Sequence, residues 1–255
     1  MPTVRIAITR SVSPHIAECE LTFRDRTPID YARAVAQHRA YEQALEELGC
    51  TIVHAGELPQ APDGVFVEDA AIVLHEIAVI TRPGAESRRS ETNSIAQVLR
   101  QYRPVHFIRE PGRIDGGDVL RIDRTLYAGR SQRTDDDGIA QLRAMVTPHG
   151  YDVVAVPFRG CLHLKSAATY VGVLLFNPSF VEARLFDDVE AVAVSASEPD
   201  AGNVLRIGET ILMSSSWPGT RRLLESGGLH VATIDADELE KAESGVTCCS
   251  LIFEA

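Results

Sequence analysis

One unit recurs along this chain, and it limits the fold more than any other feature. GVFVEDAAIVL is followed by IAVITRPG, then SETNSIAQVLRQY, then PVHFI. Short Val/Ile/Leu runs between Gly, Pro and Asp spell strands, and apolar positions three and four apart spell a helix. The order is strand, strand, helix, strand. It returns in GGDVLRI, RTLYAGR, GIAQLRAMVTPHG and DVVAVPF, with Ile139, Leu142 and Met145 at helical spacing. It returns in LHLKSAATYV, GVLLFN, a short stretch over residues 181–186 and EAVAVSA. A fourth copy reads GNVLRIG, TILMSSSW, PGTRRLLESGG and LHVATI. The fifth is split between the ends of the chain. GVTCCSLIFE gives its first strand, VRIAITR within residues 1–10 its second, residues 30–49 its helix, and TIVHAG its last strand.

The opening positions Phe66, Val119, His163, Val204 and Thr247 are 53, 44, 41 and 43 residues apart. That period fits a propeller-like array, and pairing the two termini in one unit would latch the ring without an open end. The expectation is an α/β fold: a five-bladed α/β propeller of ββαβ units with pseudo-five-fold symmetry. No linker or break in composition interrupts residues 1–255, which read as a single domain. The plainer alternative is an α/β sandwich in which the unit recurs by chance.

Hydrophobic residues make up 45% of the 255 and charged residues 24%, ordinary globular values. The net charge of −11 disfavours nucleic acid and anionic lipid as partners and tolerates a cationic substrate. No apolar run reaches the roughly 18 residues of a membrane span, and residues 1–10 lack the apolar core of a signal peptide. The expected compartment is the cytoplasm. Five cysteines, Cys19, Cys50, Cys161, Cys248 and Cys249, are an odd number without C-x-x-C spacing. Reduced thiols are expected, rather than a disulfide framework or a structural zinc site.

The side chains able to do chemistry fall on the opening strands of different units. Around a pseudo-axis they would converge on one cavity, as nucleophilic catalysis requires. A cysteine attacks as thiolate, and in a strand only one of Cys248 and Cys249 can face that cavity. His163 between Leu162 and Leu164 reads in isolation as a core histidine; a cysteine and an acid elsewhere make it a candidate acid/base. Asp115 in IDGGD is either a turn residue or the acceptor of the His163 Nδ1 proton, and Asp118 reads as structural. Glu68 and Asp69 inside an apolar run are costly to bury unpaired. They suit a guanidinium, a protein arginine or a turn. Arg88 and Arg133 occupy matching places after the second strand of their units, where two arginines could hold a carboxylate.

These stretches together resemble the dimethylarginine dimethylaminohydrolase (dimethylarginase) family of the amidinotransferase-like, guanidino-modifying superfamily. PDGVFVEDAA, ITRPGAESRR, IDGGD, GRSQRTD, LHLKS, WPGTRR and GVTCCS carry the likeness, almost end to end. The resemblance implies the five-bladed pentein propeller, with Cys248 as nucleophile, His163 as acid/base and Asp115 as its orienting acid. It implies Glu68 and Asp69 at the guanidinium, Asp63 at a ligand-contacting position, and Arg88 and Arg133 at the α-carboxylate. It further implies Leu21 as a cap over the substrate from a mobile loop, and Ala242 as the source of a backbone carbonyl for the amino-acid end. The polar, aperiodic residues 11–28 suit that lid. Two departures bear on the substituent preference: GNVLRI lacks the cysteine that relatives commonly place after its asparagine, and residues 23–27 match poorly.

The implied reaction converts an Nω-methylated L-arginine (asymmetric dimethylarginine or monomethylarginine) and water to L-citrulline and dimethylamine or methylamine, through a covalent cysteine adduct. It needs neither metal nor organic cofactor. The expected partner is a small-molecule substrate, and a homodimer is compatible with the reading. Two rivals stand beside it: an arginine deiminase or amidinotransferase of the same superfamily, usually a longer chain, and a non-catalytic binding scaffold of the same fold.

Overall fold

The computed structural model describes residues 4–186 and 189–255, so the first three residues of the N-terminal stretch lie outside the described part. Within it, five separate three-stranded sheets repeat one plan. β1 (Arg5–Thr9) pairs antiparallel with the last strand, β15 (Leu251–Glu254), and parallel with β2 (Cys50–His54). The other sheets are β3 (Ala71–Val73), β4 (Ala78–Ile80) and β5 (Val105–Phe107); β6 (Val119–Ile122), β7 (Thr125–Arg130) and β8 (Asp152–Pro157); β9 (Ala168–Tyr170), β10 (Leu174–Phe176) and β11 (Ala191–Ala193); and β12 (Leu205–Ile207), β13 (Thr210–Ser214) and β14 (His230–Ile234).

In each sheet the first pair is antiparallel and the second parallel. A parallel return needs a crossover. Four sheets use a helix: α1 (Tyr31–Glu47), α2 (Thr92–Leu99), α3 (Asp136–Val146) and α5 (Pro218–Ser226). The β10–β11 crossover has only a 3-10 turn, Ala183–Leu185, where the sequence already gave a short stretch. α4 (Leu164–Ala167) and α6 (Asp237–Glu240) are single turns. Local chemistry sets the helix starts. The carboxylate of Asp30 accepts the Arg33 N–H at 3.1 Å, and that of Asp135 accepts the Gly138 N–H at 2.9 Å. Each such cap contributes ~1 kcal/mol. Pro218 sits in the first turn of α5, where its missing N–H costs nothing.

The middle strands explain the unbroken apolar runs. Successive residues point to opposite faces, and both faces are buried. Ala78 and Ile80 pack with Ile8 and Phe253, whereas Val79 between them packs with Val119 and Leu126. Leu174 and Leu175 divide in the same way, the first meeting Leu120 and Tyr127, the second Val204 and Met213. Leu212 joins Ala7, Tyr41 and Leu45 in a fifth cluster. Each cluster thus draws on two sheets, and the fifth joins the β12–β14 sheet to the one made of both chain ends. A fully buried Leu, Ile or Val stabilises by about 1.5–3 kcal/mol. A cavity of about 410 Å³ is lined by Ile72, Leu120, Tyr170, Arg206 and Ile252, one from the opening strand of every sheet.

One expectation needs correction. The chemistry-bearing motifs are not on the opening strands but on helical turns just before them. VEDA is a 3-10 turn, Val67–Ala70, ahead of β3; GGD is another, Gly116–Asp118, ahead of β6; and LKSA is α4, ahead of β9. Thr247 and both adjacent cysteines form a turn before β15. A helical turn sends neighbouring side chains about 100–120° apart rather than to opposite faces. Among the described residues, no helix is long and apolar enough to cross a membrane.

Candidate active site

The turn Val67–Ala70 separates its two carboxylates. Asp69 meets Arg88 Nη1 at 2.5 Å through Oδ2, and its Oδ1 accepts the Gly117 N–H at 2.9 Å. Glu68 turns the other way. Its Oε1 pairs with Lys165 Nζ at 2.7 Å, and its Oε2 accepts the Thr247 hydroxyl at 2.8 Å. Its side chain borders the 410 Å³ cavity, while Asp69 lines a much smaller one beside Cys248. Asn203 ties the cysteine turn down from β12's side: its Oδ1 accepts the Thr247 N–H at 3.0 Å, and its Nδ2 donates to the Thr247 hydroxyl at 2.9 Å.

His163 stands at the start of α4. Its Nε2 is 3.0 Å from Asp115 Oδ2, and its Nδ1 is 3.7 Å from Asp69 Oδ1. The sequence reading paired Asp115 with Nδ1; the histidine is seen from its other edge because Gly117 brings Asp69 against Nδ1. A Cβ at residue 117 would lie 2.7 Å from both His163 Nδ1 and Asp69 Oδ1, so a side chain there would force the site apart. Asp115 is fully buried, and its Oδ1 accepts the Gly84 N–H at 2.8 Å. Asp118, read as structural, accepts the Leu164 N–H at 2.9 Å and the Ser131 hydroxyl at 2.6 Å, which fixes the backbone next to His163.

Charge in this buried group is balanced by contact. Burial disfavours a protonated His163, but Asp69, the hydrogen bond to Asp115 and the charge of Asp118 outweigh it and raise its pKa to about 9. Burial pushes Asp69 up, yet His163 and Arg88 hold it down to about 2. Asp118 rises to about 6 through burial. Burial, then Glu68 and Asp69, push the Cys248 thiol well above its ordinary 9. Cys249, packed in the cluster around Tyr41, reaches about 12 for the same reason of burial. The donor atoms of Asp69, Asp115 and His163 lie within 4.8 Å of one another. A dication there would have to displace Arg88 and the histidine proton that already neutralise them.

The histidine makes a pH test available. Its folded pKa exceeds the ordinary 6.5, so its contribution to stability is complete below pH 6.5 and is lost as pH rises through 9. That interval corresponds to on the order of 3 kcal/mol. His163→Asn should flatten the fall in Tm between pH 6.5 and 9; parallel curves for the two proteins would show that the carboxylates hold no proton on His163.

The cavity beside Cys248 brings together most of the expected residues: Asp63, Asp69, Arg88, Arg133, His163 and Ala242 line it. The Cys248 Sγ accepts the Gly245 N–H at 3.3 Å. Arg133 is 3.9 Å from Asp115 and otherwise faces the cavity. Arg88 is committed elsewhere: Nε and Nη2 bond Glu91, Nη1 bonds Asp69, and Nη2 also donates to the carbonyls of Phe66 and Asp63 at 3.0 and 3.3 Å. Leu21 packs, partly buried, on the cluster around Tyr41, while its neighbour Glu20 lines the cavity. Asp63 accepts the Glu20 N–H at 3.1 Å, and burial raises its carboxyl to about 6 against the pull of Arg88. The cavity holds only about 10 Å³, roughly one water, against ~300–1,000 Å³ for a typical ligand pocket.

Sequence reasoning missed Leu162, Glu243 and Ser244, which also line the cavity, and Glu91, the main partner of Arg88. Glu91 had a signal, since it follows Arg88 by three residues within a helical stretch. Glu243 had none, because its role depends on a loop more than 200 residues away in sequence.

Known proteins place this geometry. Residues 16–175 match the family model for N,N dimethylarginine dimethylhydrolase, eukaryotic. The N(G),N(G)-dimethylarginine dimethylaminohydrolase of Streptomyces coelicolor is 41% identical over 98% of this chain and 97% of its own length. The Pseudomonas aeruginosa protein of the same name is 35% identical over 88% of this chain and 90% of its own. The structure of a cysteine-to-serine mutant of the Pseudomonas aeruginosa enzyme, complexed with citrulline, superimposes with a TM-score of 0.92 at 33% identity, covering 97% of this chain and 98% of that one. The N-terminal domain of a cyanobacterial arginine dihydrolase gives 0.83 at 19% identity and shares the fold alone. With the family model matching most of the sequence, and relatives of this identity matching nearly all of it, the chain belongs to the dimethylarginine dimethylaminohydrolase family.

Proposed function

We propose that this protein hydrolyses Nω-methylated L-arginines to L-citrulline and dimethylamine or methylamine. The observation that carries the reading is one small cavity holding Cys248, Asp69 and a His163 bonded to Asp115, in a chain whose family acts on dimethylarginine. Cys248 is the nucleophile. In the free protein burial, and then the charges of Glu68 and Asp69, keep it a thiol. An arriving guanidinium, by neutralising Asp69, favours the thiolate, and the thiol proton leaves to bulk water because His163 is already protonated. The sulfur attacks the guanidinium carbon. His163 donates a proton to the departing alkylamine, leaving a thiouronium on Cys248. The neutral imidazole then takes a proton from water, whose oxygen attacks the same carbon; the C–S bond breaks and citrulline leaves. Asp115 holds Nε2, so Nδ1 is the nitrogen free to move the proton. No metal or organic cofactor is needed.

Arg133 is the α-carboxylate ligand. Arg88 can join it only by giving up a carbonyl, the 3.3 Å bond to Asp63 being the weakest candidate. Asp63 and the Ala242 carbonyl receive the α-ammonium end, with Leu21 over the substrate once the lid has moved to admit it. Glu68 acts from behind the cysteine turn through Thr247. We also infer that the five sheets close into a five-bladed propeller forming one domain over residues 1–255. Support comes from the fifth apolar cluster, which joins the last sheet to the first, and from the cavity that all five opening strands line.

Measuring kcat/KM for monomethylarginine, asymmetric dimethylarginine, arginine and agmatine tests the reading. Methylated arginines should lead by tenfold or more. Agmatine, which lacks the carboxylate, should fall tens- to thousands-fold, since losing a charge-paired group costs about 2–5 kcal/mol. Arginine in first place would make the protein a deiminase, and agmatine in first place would remove the carboxylate clamp.

A further inference from the structure

We propose that Glu243 is the latch that holds residues 20–24 closed over the Cys248 cavity, and is thereby a positioning residue for the reaction. Its carboxylate accepts two consecutive backbone amides of the loop: Thr22 N–H on Oε2 at 2.8 Å and Phe23 N–H on Oε1. Two N–H donors on one buried carboxylate make a charge-assisted clasp, stronger than bonds between neutral groups. Glu243 is 9% exposed, so water competes little for it. Its φ of 55° lies in the left-handed region, a strained setting for a residue with a Cβ that persists only where the surroundings hold it. That backbone turn stands between Ala242 and the Gly245 amide that bonds Cys248 Sγ, so the latch and the nucleophile share one short loop.

The other ties to this loop are weaker or lie outside the cavity. Arg24 donates to the Glu240 carbonyl at 3.0 Å and pairs with Asp200 at 2.7 Å, but both side chains of that pair are more than a third exposed, and such pairs contribute little. Glu20 reaches Ser87 on the surface. The Glu20 N–H to Asp63 is a single backbone bond shared between two oxygens at 3.1 and 3.3 Å. Glu243 also divides two spaces. With Leu162 and Ser244 it walls the 10 Å³ cavity on one side, and on the other a cavity of about 290 Å³ bordered by Phe23 and Arg24. Releasing the two amides frees residues 20–24, whose Glu20 borders the smaller cavity and whose Phe23 and Arg24 border the larger, so the cover over the nucleophile's space loosens. That substrate takes this route rests on the functional reading above; the clasp itself does not.

Amide hydrogen exchange and thiol alkylation test the latch in the full chain without substrate. Glu243→Gly removes the carboxylate and suits the left-handed backbone; Glu243→Gln keeps the length but loses the charge. In Glu243→Gly the amides of Thr22 and Phe23 should exchange at least tenfold faster, while those of β4, β7 and β10 stay as in the wild type. Iodoacetamide should alkylate Cys248 at least tenfold faster, and KM for a methylated arginine should change more than kcat. Glu243→Gln should fall between, and it carries the test if the glycine variant does not fold. Unchanged exchange at Thr22 and Phe23, or faster exchange with Cys248 alkylated no faster, overturns the proposal. If the wild type turns over no methylarginine yet the variants loosen as stated, the latch stands and the substrate reading falls.

Discussion

Cys248→Ser should abolish turnover, by at least about 10⁴-fold in kcat, while the protein stays folded. The replacement is nearly isosteric, and a serine hydroxyl can still accept the Gly245 N–H that bonds the sulfur. It cannot be activated as a serine is beside a neutral histidine. Asp69, Asp115 and Asp118 hold His163 protonated up to about pH 9, so near neutrality the imidazole has no lone pair with which to take the hydroxyl proton. A thiol is less bound by this limit because its pKa is far lower than a hydroxyl's, and a bound cation moves it toward the thiolate. Cys249→Ser should keep most of the activity, because Cys249 is not among the residues that line the cavity, as Cys248 is. Mass spectrometry of a quenched reaction should find the adduct on Cys248 alone. Substantial turnover by Cys248→Ser, or an adduct on Cys249, would end the assignment.

Much of the fold is legible in the sequence. The split fifth unit foretold the pairing of β1 with β15, because an apolar strand at each end of the chain needs a partner. The unbroken runs IAVI and VLLF signalled strands buried on both faces, and the sheets bear that out. What escaped the sequence was the local geometry at the junctions. VFVEDAAIVL reads as one strand because its composition is that of a strand. Only the tertiary demands of Glu68 on Lys165 and Thr247, and of Asp69 on Arg88 and Gly117, show that Val67–Ala70 must turn. Strand alternation does not apply to the turn that carries Cys248 and Cys249, so the choice of Cys248 rests on motif position and on its place in the cavity lining. Asp115 was legible as an acid in a Gly-rich loop, but not the nitrogen of His163 it would meet, since that depends on Gly117 letting Asp69 approach. Arg88 looked like a free cation from its local sequence, and its partners are Glu91 and the run of residues 63–69.

Arg88→Met should cost about 3–5 kcal/mol of stability, among the largest effects for a single substitution here. Arg88 is 4% exposed and replaces water for a whole group of buried acceptors: Asp69, Glu91 and the carbonyls of Phe66 and Asp63. Met fills a similar volume, so the loss comes from charge and not from a cavity. Without the guanidinium, Asp69 and Glu91 are left as carboxylates in a dry interior with no arginine between them. Arg88→Lys should recover only part of the loss, because one ammonium cannot span the planar fork of contacts. Glu91→Gln in the Arg88→Met background should restore some stability by deleting one orphaned charge. Asp69 adds a pH signature. Its folded pKa of about 2 lies below the ordinary 3.8, so its stabilisation is present above pH 3.8 and is lost as pH falls through 2. Arg88→Met removes one of the two cations that hold it down, so the folded pKa rises and the stability gap between the variant and the wild type should narrow as pH falls through that window. Arg221→Ala, which breaks an exposed pair with Glu225, should by comparison change stability by ~0.5 kcal/mol or less. Urea unfolding of these variants at pH 7 and at about pH 2.5, inside the window that Asp69 sets, decides the matter. An Arg88→Met protein within 1 kcal/mol of the wild type would mean that Asp69 and Glu91 take up protons or water, and that the turn holding Asp69 toward the nucleophile is fixed by its Gly117 bond and the packing beneath it.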